Sequence, residues 1–404
     1  MTSNFEFLQV HINSFVEKQK LTNVKIKVSS GNVGVSNFLG SIYRVQLEGE
    51  KIDENKSLSY NLVIKCCPKE STVIFNELKV RNFYHHEICF YEEKIPVFNQ
   101  LLSECGNNVK IEDIPIYYGC CKTKGDEVLI LEDVSHRGFT AKKSQILDYA
   151  HAQIALQHLA RFHAYGFILQ AKNPELFEKT IKSIKETAFF EKEDYTKMYG
   201  NLCDVAIKAI ESEGTYYVDK INNFRDNVFK SCLYVTNGFN AEPFATINHG
   251  DFWTNNMLFK YNENSEPVDF CCMDFQMHRY ASPILDIVYM LFVCCTQEMR
   301  QIYYDRLLND YYKSLAEFLC KFNLKVEQIF PFEIFMEHLQ LFGNFGACMA
   351  LFALDGFLKE KTQPIISVHT ENCVNDLLKR LESNKFYASM LKGIFKDMID
   401  KNYI

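Results

Sequence analysis

The sequence predicts an α+β fold, in which a small antiparallel sheet with one main helix precedes a larger and mostly helical part. Two observations support this prediction. Short runs rich in β-branched and aromatic residues, separated by turn residues, fill roughly the first 130 positions, and such runs favour strands. After residue 135, apolar residues recur instead at the spacing of a helix face.

The N-terminal part begins with a predicted amphipathic helix at residues 5–20, where Leu8, Ile12 and Phe15 fall on one face. The next predicted helical stretch, one helix or two, covers residues 76–94. Strands are predicted at residues 24–28, 42–47, 62–66, 114–118 and 128–131. These elements suit a single sheet with one main helix.

The C-terminal part begins with a strong helix pattern at residues 144–166, for which Gly166 is the predicted end. Pro283 is well suited to the first position of another helix. The remaining helices are predicted at residues 175–211, 215–235, 283–296, 299–322, 330–356 and 370–400. We therefore expect two domains, residues 1–133 and residues 134–404.

Composition excludes several classes of protein. The 404 residues are 47% hydrophobic and carry a net charge of −7, which indicates a well-buried globular chain and gives no support for a nucleic-acid partner. Residues 1–9 lack the features of a signal peptide, and no run of 18 apolar residues predicts a membrane span. Fifteen cysteines occur without a CxxC spacing, so we expect free thiols in a reducing cytoplasm rather than a zinc site.

The most informative motif is HGDFWTNN at residues 249–256, followed by MDFQ at residues 273–276. Asp251 and Asn256 lie five positions apart, and Asp274 follows 18 positions later. Phosphoryl transfer from ATP uses one carboxylate to deprotonate a hydroxyl, and an amide with a second carboxylate to bind magnesium. The same spacing also occurs in ordinary polar loops. The flanking apolar runs predict a strand hairpin, and Gly250 predicts a close backbone approach.

Lys65 ends the apolar run LVIK, where a buried ammonium group requires a partner. One interpretation is an edge strand from which Lys65 reaches solvent. The other pairs Lys65 with a helical glutamate and with nucleotide phosphates. Glu87 is the preferred partner because apolar residues flank it, and the competing candidates are Glu77, Glu92 and Glu93.

Two segments are candidates for further nucleotide contacts. Residues 31–41, with Ser36, Asn37 and Ser41, could cover phosphates with backbone amides and hydroxyls. Residues 129–134 join the two parts, and in a kinase the backbone near Glu132 and Val134 would bind adenine. An ordinary turn and an ordinary strand end explain the same two sequences equally well.

A third acidic residue lies close to the motif in sequence. Asp286 follows Asp274 by twelve positions, near the start of an apolar helix. We expect this carboxylate to cap or brace the catalytic loop rather than to take part in catalysis.

In this order, the motifs resemble the choline kinase and aminoglycoside phosphotransferase superfamily, and more closely its ecdysteroid kinase-like branch, found mainly in insects. The most specific match is residues 249–256, in which Trp253 is the only tryptophan of the chain. The other matching segments are the loop at residues 37–41, VIK at 63–65, EICFYEE at 87–93, LILEDV at 129–134 and LARFHA at 159–164.

The resemblance implies a bilobal protein-kinase-like fold and a cytoplasmic enzyme that uses ATP and Mg²⁺. Asp251 would be the catalytic base, and Asn256 and Asp274 the magnesium ligands. Lys65, braced by Glu87, would hold the ATP phosphates. The acceptor would be a hydroxyl group of a small molecule, either an ecdysteroid or a hydroxylated foreign compound in a detoxification role. We expect a monomer.

Three other functions were weighed against this one. A protein kinase is disfavoured because Pro283 follows Asp274 by only nine positions, which leaves no room for an activation segment, and because Gln276 replaces glycine. A catalytically inactive ligand-binding protein and a choline- or ethanolamine-type kinase stay open. Residues 175–240 and those beyond 296 contain no motif that identifies the acceptor.

Overall fold

The structure is a computed structural model that describes residues 2–31, 40–52, 56–68, 80–106, 109–189, 195–358 and 372–404. It divides into two compact units, each built from separated stretches of chain. Unit 1 comprises Met1–Pro96, Ile111–Thr140 and Cys271–Gln276, and unit 2 comprises Val97–Lys110, Ala141–Phe270 and Met277–Ile404. The α+β class is confirmed, whereas the division into functional domains at residues 133 and 134 stays a prediction.

Unit 1 contains a five-stranded antiparallel sheet in the order β1-β2-β3-β5-β4. Helix α1 (Thr2–Lys18) places Leu8, Ile12 and Phe15 against apolar side chains of this sheet, and together they form its core. The strands are β1 (Leu21–Ser30), β2 (Ser41–Lys51), β3 (Lys56–Cys66), β4 (Tyr117–Cys121) and β5 (Val128–Glu132).

Strand β4 begins at Tyr117, so the predicted strand at residues 114–118 lies too early in the sequence. Pro115 has no N–H to donate to a ladder, which explains why pairing starts only after it. The helices that follow β3 are α2 (Val80–Cys89), a π-helical turn (Phe90–Lys94) and α3 (Ile95–Glu104). The first two match the predicted helical stretch in the part described, and α3 was not predicted.

Unit 2 is mostly helical and also includes α3 from Val97 onward. Its helices are α4 (Tyr149–Lys172), α5 (Pro174–Lys182), α6 (Tyr195–Ile210), α7 (Thr215–Arg225), α8 (Val228–Thr236), α9 (Ile284–Cys294), α10 (Gln297–Cys320), α11 (Val326–Ile329), α12 (Phe332–Phe342), α13 (Phe345–Leu358), α14 (Cys373–Ser383) and α15 (Lys385–Asp400). Several stretches that were predicted as one long helix form two shorter helices in the structure. The break between α14 and α15 lies at Asn384, whose side chain accepts hydrogen bonds from the amides of Phe386 and Tyr387.

The predicted end of a helix at Gly166 is wrong, because α4 continues to Lys172. A Cβ atom at Gly166 would lie 2.2 Å from the Thr246 hydroxyl oxygen. Glycine at this position therefore serves close packing of the helix against a strand, and not the termination of the helix.

The remaining strands are short and flank the motif. They are β6 (Thr140–Ala141), β7 (Thr246–Asn248), β8 (Met257–Tyr261), β9 (Pro267–Cys272) and β10 (Arg279–Ala281). One sheet has the order β6-β8-β9, which confirms the hairpin predicted after the motif, and the other pairs β7 with β10. Because Arg279 pairs with Asn248, the segment after Asp274 returns to the start of the 249–256 loop.

Within the described ranges, no single helix is long and apolar enough to cross a membrane. Helices α12 and α13 meet that length and composition only as a pair, and a 54° bend separates them. All fifteen cysteines are free thiols.

Candidate functional site

The loop at residues 249–256 depends on a glycine at its second position. Gly250 has φ of +84°, a conformation that favours glycine. A Cβ atom there would lie 1.8 Å from the carbonyl oxygen of Met277. The close approach predicted from the sequence is confirmed, and any other residue would have to displace the chain on one side.

Asp286, near the start of α9, anchors the 249–256 loop. Its carboxylate accepts hydrogen bonds from the backbone amides of His249, at 2.6 Å, and Gly250, at 2.9 Å. Burial would raise the pKa of Asp286, but the hydrogen bond and charge of His163, at 3.2 Å, lower it below its usual value. The predicted brace is confirmed, with a carboxylate that stays ionised.

The carboxylate of Asp251 is oriented by two neighbours. The side-chain amide of Asn256 donates to Oδ2, at 3.0 Å, and to the backbone carbonyl of Asp251, at 2.9 Å. The Tyr289 hydroxyl donates to Oδ1, at 3.2 Å. Burial and the charge of Asp251 raise the pKa of Tyr289, so its hydroxyl remains a proton donor. These contacts hold the carboxylate in one orientation.

Unit 1 contains an ion-paired triad of Lys65, Glu87 and Asp274. Lys65 Nζ lies 2.9 and 2.7 Å from the two carboxylate oxygens of Glu87, and 2.6 Å from Oδ1 of Asp274. The structure thus brings Lys65 to the glutamate preferred from the sequence. The contact with Asp274 was not predicted, because 209 residues separate the two positions.

The triad contains more negative than positive groups, because two carboxylates share one ammonium group. Burial would lower the pKa of Lys65, but Asp274 and Glu87 together raise it, so the ammonium form is favoured. Burial and the second carboxylate raise the pKa of Glu87 to about 7, against the opposing effect of Lys65. A cation bound to Asp274 would relieve this excess of carboxylates.

Asp274 itself is held in an unusual backbone conformation, with φ of +70°, which is costly outside glycine. The residues after it contact α2 and the π-helical turn. Phe275 stacks on Phe90 with ring centroids 3.9 Å apart, and His86 Nδ1 lies 3.0 Å from the carbonyl oxygen of Gln276. The segment is therefore fixed to the helix that carries Glu87.

The other residues that were predicted to contact the nucleotide are Ser36, Asn37, Ser41, Glu132 and Val134. Ser36 and Asn37 lie outside the described residues, and Ser41 is the exposed first residue of β2. The Glu132 carboxylate pairs with Arg137 at 3.3 Å, and its backbone amide donates to Ile116. Val134 is buried at the start of a 3₁₀ turn. Their roles toward adenine stay predictions.

Asn256 and Asp274, each taken by itself, carry hard oxygen atoms of the kind that magnesium takes, and their roles as metal ligands stay predictions. The Asn256 amide nitrogen bonds Asp251, which leaves its carbonyl oxygen as the ligand atom, and the Asp274 side chain is 29% exposed. Among the described residues, no group of three or more His, Cys, Asp or Glu side chains could hold a metal. Magnesium commonly takes one or two carboxylates together with substrate phosphates and water.

Sequence reasoning missed three supporting residues. Tyr289 lies within the apolar helix α9, where nothing in the pattern distinguishes it from core. His163 was quoted only within a matching segment, although a histidine among apolar helix residues was a usable signal. Arg279 contacts the carbonyl of Gly250 at 3.4 Å while it pairs with Glu186 at 2.9 Å, and only the fold brings these residues together.

Comparison with solved structures finds similar chains of low identity. A point mutant of aminoglycoside 2′-phosphotransferase-IIIa with GDP is 14% identical, covers 93% of this chain and 97% of its own, and gives a TM-score of 0.42. The wild-type GDP complex is 14% identical over 93% and 98%, with a TM-score of 0.38. A putative aminoglycoside phosphotransferase from Ralstonia eutropha is 10% identical over 97% and 98%, with a TM-score of 0.39.

A comparison with the curated proteins found no match. The model of the ecdysteroid kinase-like family matches residues 34–324, which is more than half of the chain and includes Lys65, Glu87 and the 249–256 loop. On this match, the chain belongs to the ecdysteroid kinase-like family.

Proposed function

We propose that this protein is an ATP- and magnesium-dependent kinase that phosphorylates a hydroxyl group of a small molecule, either an ecdysteroid or a hydroxylated xenobiotic. One observation carries the proposal. The Asp251 carboxylate is fixed by Asn256 and Tyr289 in a loop whose backbone is anchored to Asp286. Family membership supports the same reaction class.

In this proposal Asp251 is the general base. Its carboxylate accepts the proton of the acceptor hydroxyl as that oxygen forms a bond to the γ-phosphorus, and the bond to the leaving ADP oxygen breaks. Positioning contributes most to such a reaction, because the transition state requires the attacking and leaving oxygens to lie in line with phosphorus. The contacts from Asn256 and Tyr289 to the carboxylate serve that positioning.

Lys65 would bind the ATP phosphates, with Glu87 as its brace, and Asn256 and Asp274 would hold the metal through hard oxygen atoms. Magnesium, when bound, would neutralise charge on the phosphates. The excess of carboxylates around Lys65 supports this assignment, because a cation beside Asp274 would offset the negative charge that one ammonium group leaves on two carboxylates.

The reaction is tested by transfer of labelled phosphate from ATP, with magnesium, to a panel of ecdysteroids, hydroxylated plant compounds, choline and ethanolamine. We expect Asp251→Asn to lower turnover by about 10²–10⁴-fold with nucleotide binding retained. Asp274→Ala should instead abolish the thermal shift that Mg-ATP produces.

The matched control is Asp219→Asn, which removes an exposed carboxylate on α7 and should leave the rate unchanged. A rate unaffected by Asp251→Asn would contradict the assignment of the base. Transfer to choline or ethanolamine alone would contradict the proposed acceptor class and leave the reaction type standing. Transfer to no member of the panel would count against the proposed function as a whole.

A further inference from the structure

Trp253, the only tryptophan of the chain, lies two residues after Asp251. Its backbone amide donates to the carbonyl oxygen of Asp251 at 3.1 Å, and its own carbonyl accepts from the amide of Asn256 at 2.9 Å. The indole is therefore fixed to the same short stretch of backbone as the proposed base and the proposed metal ligand. Its side chain is partly exposed.

The indole N–H of Trp253 is buried, and it has no hydrogen-bond acceptor among the described parts of the chain. A buried donor without an acceptor is costly, and folded proteins contain few of them. A buried tryptophan usually has its ring among apolar groups and its N–H bonded to an acceptor. An oxygen atom supplied by a ligand would satisfy this donor.

A second aromatic residue packs against the indole. The ring centroid of Phe357, near the end of α13, lies 5.6 Å from that of the indole, with 40° between the ring planes. At the other end of α13, the ring centroid of Phe345 lies 6.5 Å from that of Tyr289, whose hydroxyl donates to Asp251. Helix α13 thus extends from Phe345, which packs against Tyr289, to Phe357, which packs against Trp253.

From these contacts we infer that Trp253 binds the acceptor of the proposed reaction, with the ring of Phe357, which is only 3% exposed, packed against the indole as a support. The partly exposed indole contacts an apolar face of the acceptor, and its N–H donates to an oxygen of the acceptor other than the hydroxyl that is phosphorylated. The inference rests on the proposed function and adds the residues that select the substrate.

The chemistry of the indole restricts the class of acceptor. A partly exposed aromatic ring favours a molecule with a flat apolar face, and one donor requires a hydrogen-bond-accepting oxygen within reach of that face. A molecule with several oxygen atoms on an apolar ring system fits both conditions. A compact cationic alcohol such as ethanolamine offers no apolar face, and gains nothing from the indole N–H.

Because the indole is unique, its fluorescence reports acceptor binding without turnover. Excitation of the full-length protein during titration with an ecdysteroid or a hydroxylated plant compound should give a saturable change, and ethanolamine should give none. The change should persist in Asp251→Asn, in which catalysis is removed. No change with any compound that the enzyme phosphorylates would overturn the inference.

Steady-state kinetics provides the second measurement. Trp253→Phe keeps a ring against Phe357 but removes the N–H, so the acceptor KM should rise about 5- to 30-fold, as expected for one hydrogen bond to a buried donor, with the KM for ATP unchanged. Phe357→Ala should raise the acceptor KM in the same way. Phe386→Ala, which removes an exposed phenylalanine on α15, is the matched control and should leave both constants unchanged.

Failure of this inference can be distinguished from failure of the proposed function. If Trp253→Phe lowers thermal stability but leaves the acceptor KM unchanged, the indole has only a structural role and the inference is overturned, while the proposed function stands. If Asp251→Asn transfers phosphate at the wild-type rate, the proposed function fails, whatever the fluorescence shows.

Discussion

At the scale of single residues, Asp251 acquires its orientation from side chains that do not resemble catalytic groups. Asn256 binds one carboxylate oxygen and Tyr289 the other. The phenol lies in a fully buried part of α9, and burial keeps it protonated. We therefore assign Tyr289 a positioning role toward the proposed base.

Replacement of Tyr289 by phenylalanine tests this role. The ring remains and only the hydroxyl is lost, so the fold should be retained while the Asp251 carboxylate gains rotational freedom. We expect kcat to fall about tenfold, which corresponds to one hydrogen bond of about 1.4 kcal/mol, with little change in the KM for ATP.

Tyr304→Phe is the matched control for that measurement. Its hydroxyl pairs with the hydroxyl of Tyr403 at 3.0 Å, so the substitution removes a buried hydrogen bond of similar kind without contact to Asp251. Equal losses of kcat in the two variants would mean that Tyr289 acts only through stability.

The sequence predicted the pairs of residues that lie close together along the chain better than the distant ones. Glu87 was identified as the partner of Lys65 because a buried ammonium group needs a carboxylate and because apolar neighbours place Glu87 on a buried face. The contact between Lys65 and Asp274, and that between Tyr289 and Asp251, depend on the path of the whole chain. Periodicity and composition carry no information about that path.

At the scale of elements, the positions of helices were predicted more accurately than their ends. Gly166 was interpreted as a stop because glycine is common after the last turn of a helix. In α4 it instead lies opposite β7, where the Thr246 hydroxyl also donates to the carbonyl of His163 at 2.8 Å. Helix propensity thus favours a residue other than glycine at this position, whereas close packing requires glycine, and packing decides.

Alanine substitutions at two helical glycines separate these effects. In Gly166→Ala the new Cβ would lie 2.2 Å from Thr246 Oγ1 and 3.1 Å from the amide nitrogen of Ile247. Because Thr246 is held by His163 and the amide cannot move independently, we expect a loss of about 1–3 kcal/mol of unfolding free energy, as for overpacked cores. Urea denaturation measures this loss.

Gly200→Ala in α6 is the comparison, because its nearest neighbours lie at ordinary contact distance, 3.4 Å or more. There the helix propensity of alanine should prevail and stabilise the protein by about 0.5–1 kcal/mol. The same sign of change in both variants would contradict the packing argument.

At the scale of the whole molecule, stability should depend on pH through histidines that the fold buries. His338 on α12 is only 6% exposed and is surrounded by the rings of Phe244, Phe330 and Phe342. Its Nδ1 lies 2.9 Å from the Ser282 hydroxyl, which precedes α9, the helix that carries Asp286. Burial lowers the pKa of His338 to about 4.

The sign of the effect follows from proton binding in the two states. Between pH 6.5, near the pKa of histidine in an unfolded chain, and about pH 4, the unfolded chain binds a proton at this residue that the folded protein does not. The free energy of unfolding therefore falls as the pH is lowered through this window. Well above pH 6.5 the imidazole is neutral in both states and contributes no slope.

His338→Gln removes the titrating group while its amide can still reach Ser282. We expect the melting temperature of the wild-type protein to fall more steeply than that of the variant between pH 6.5 and 4.5, with the two pH dependences parallel above pH 7. His85→Gln, at a site whose side chain is 46% exposed, should keep the wild-type slope. Parallel curves for wild type and His338→Gln throughout would mean that His338 takes up its proton in the folded state, and that the acid sensitivity of this protein arises from other groups.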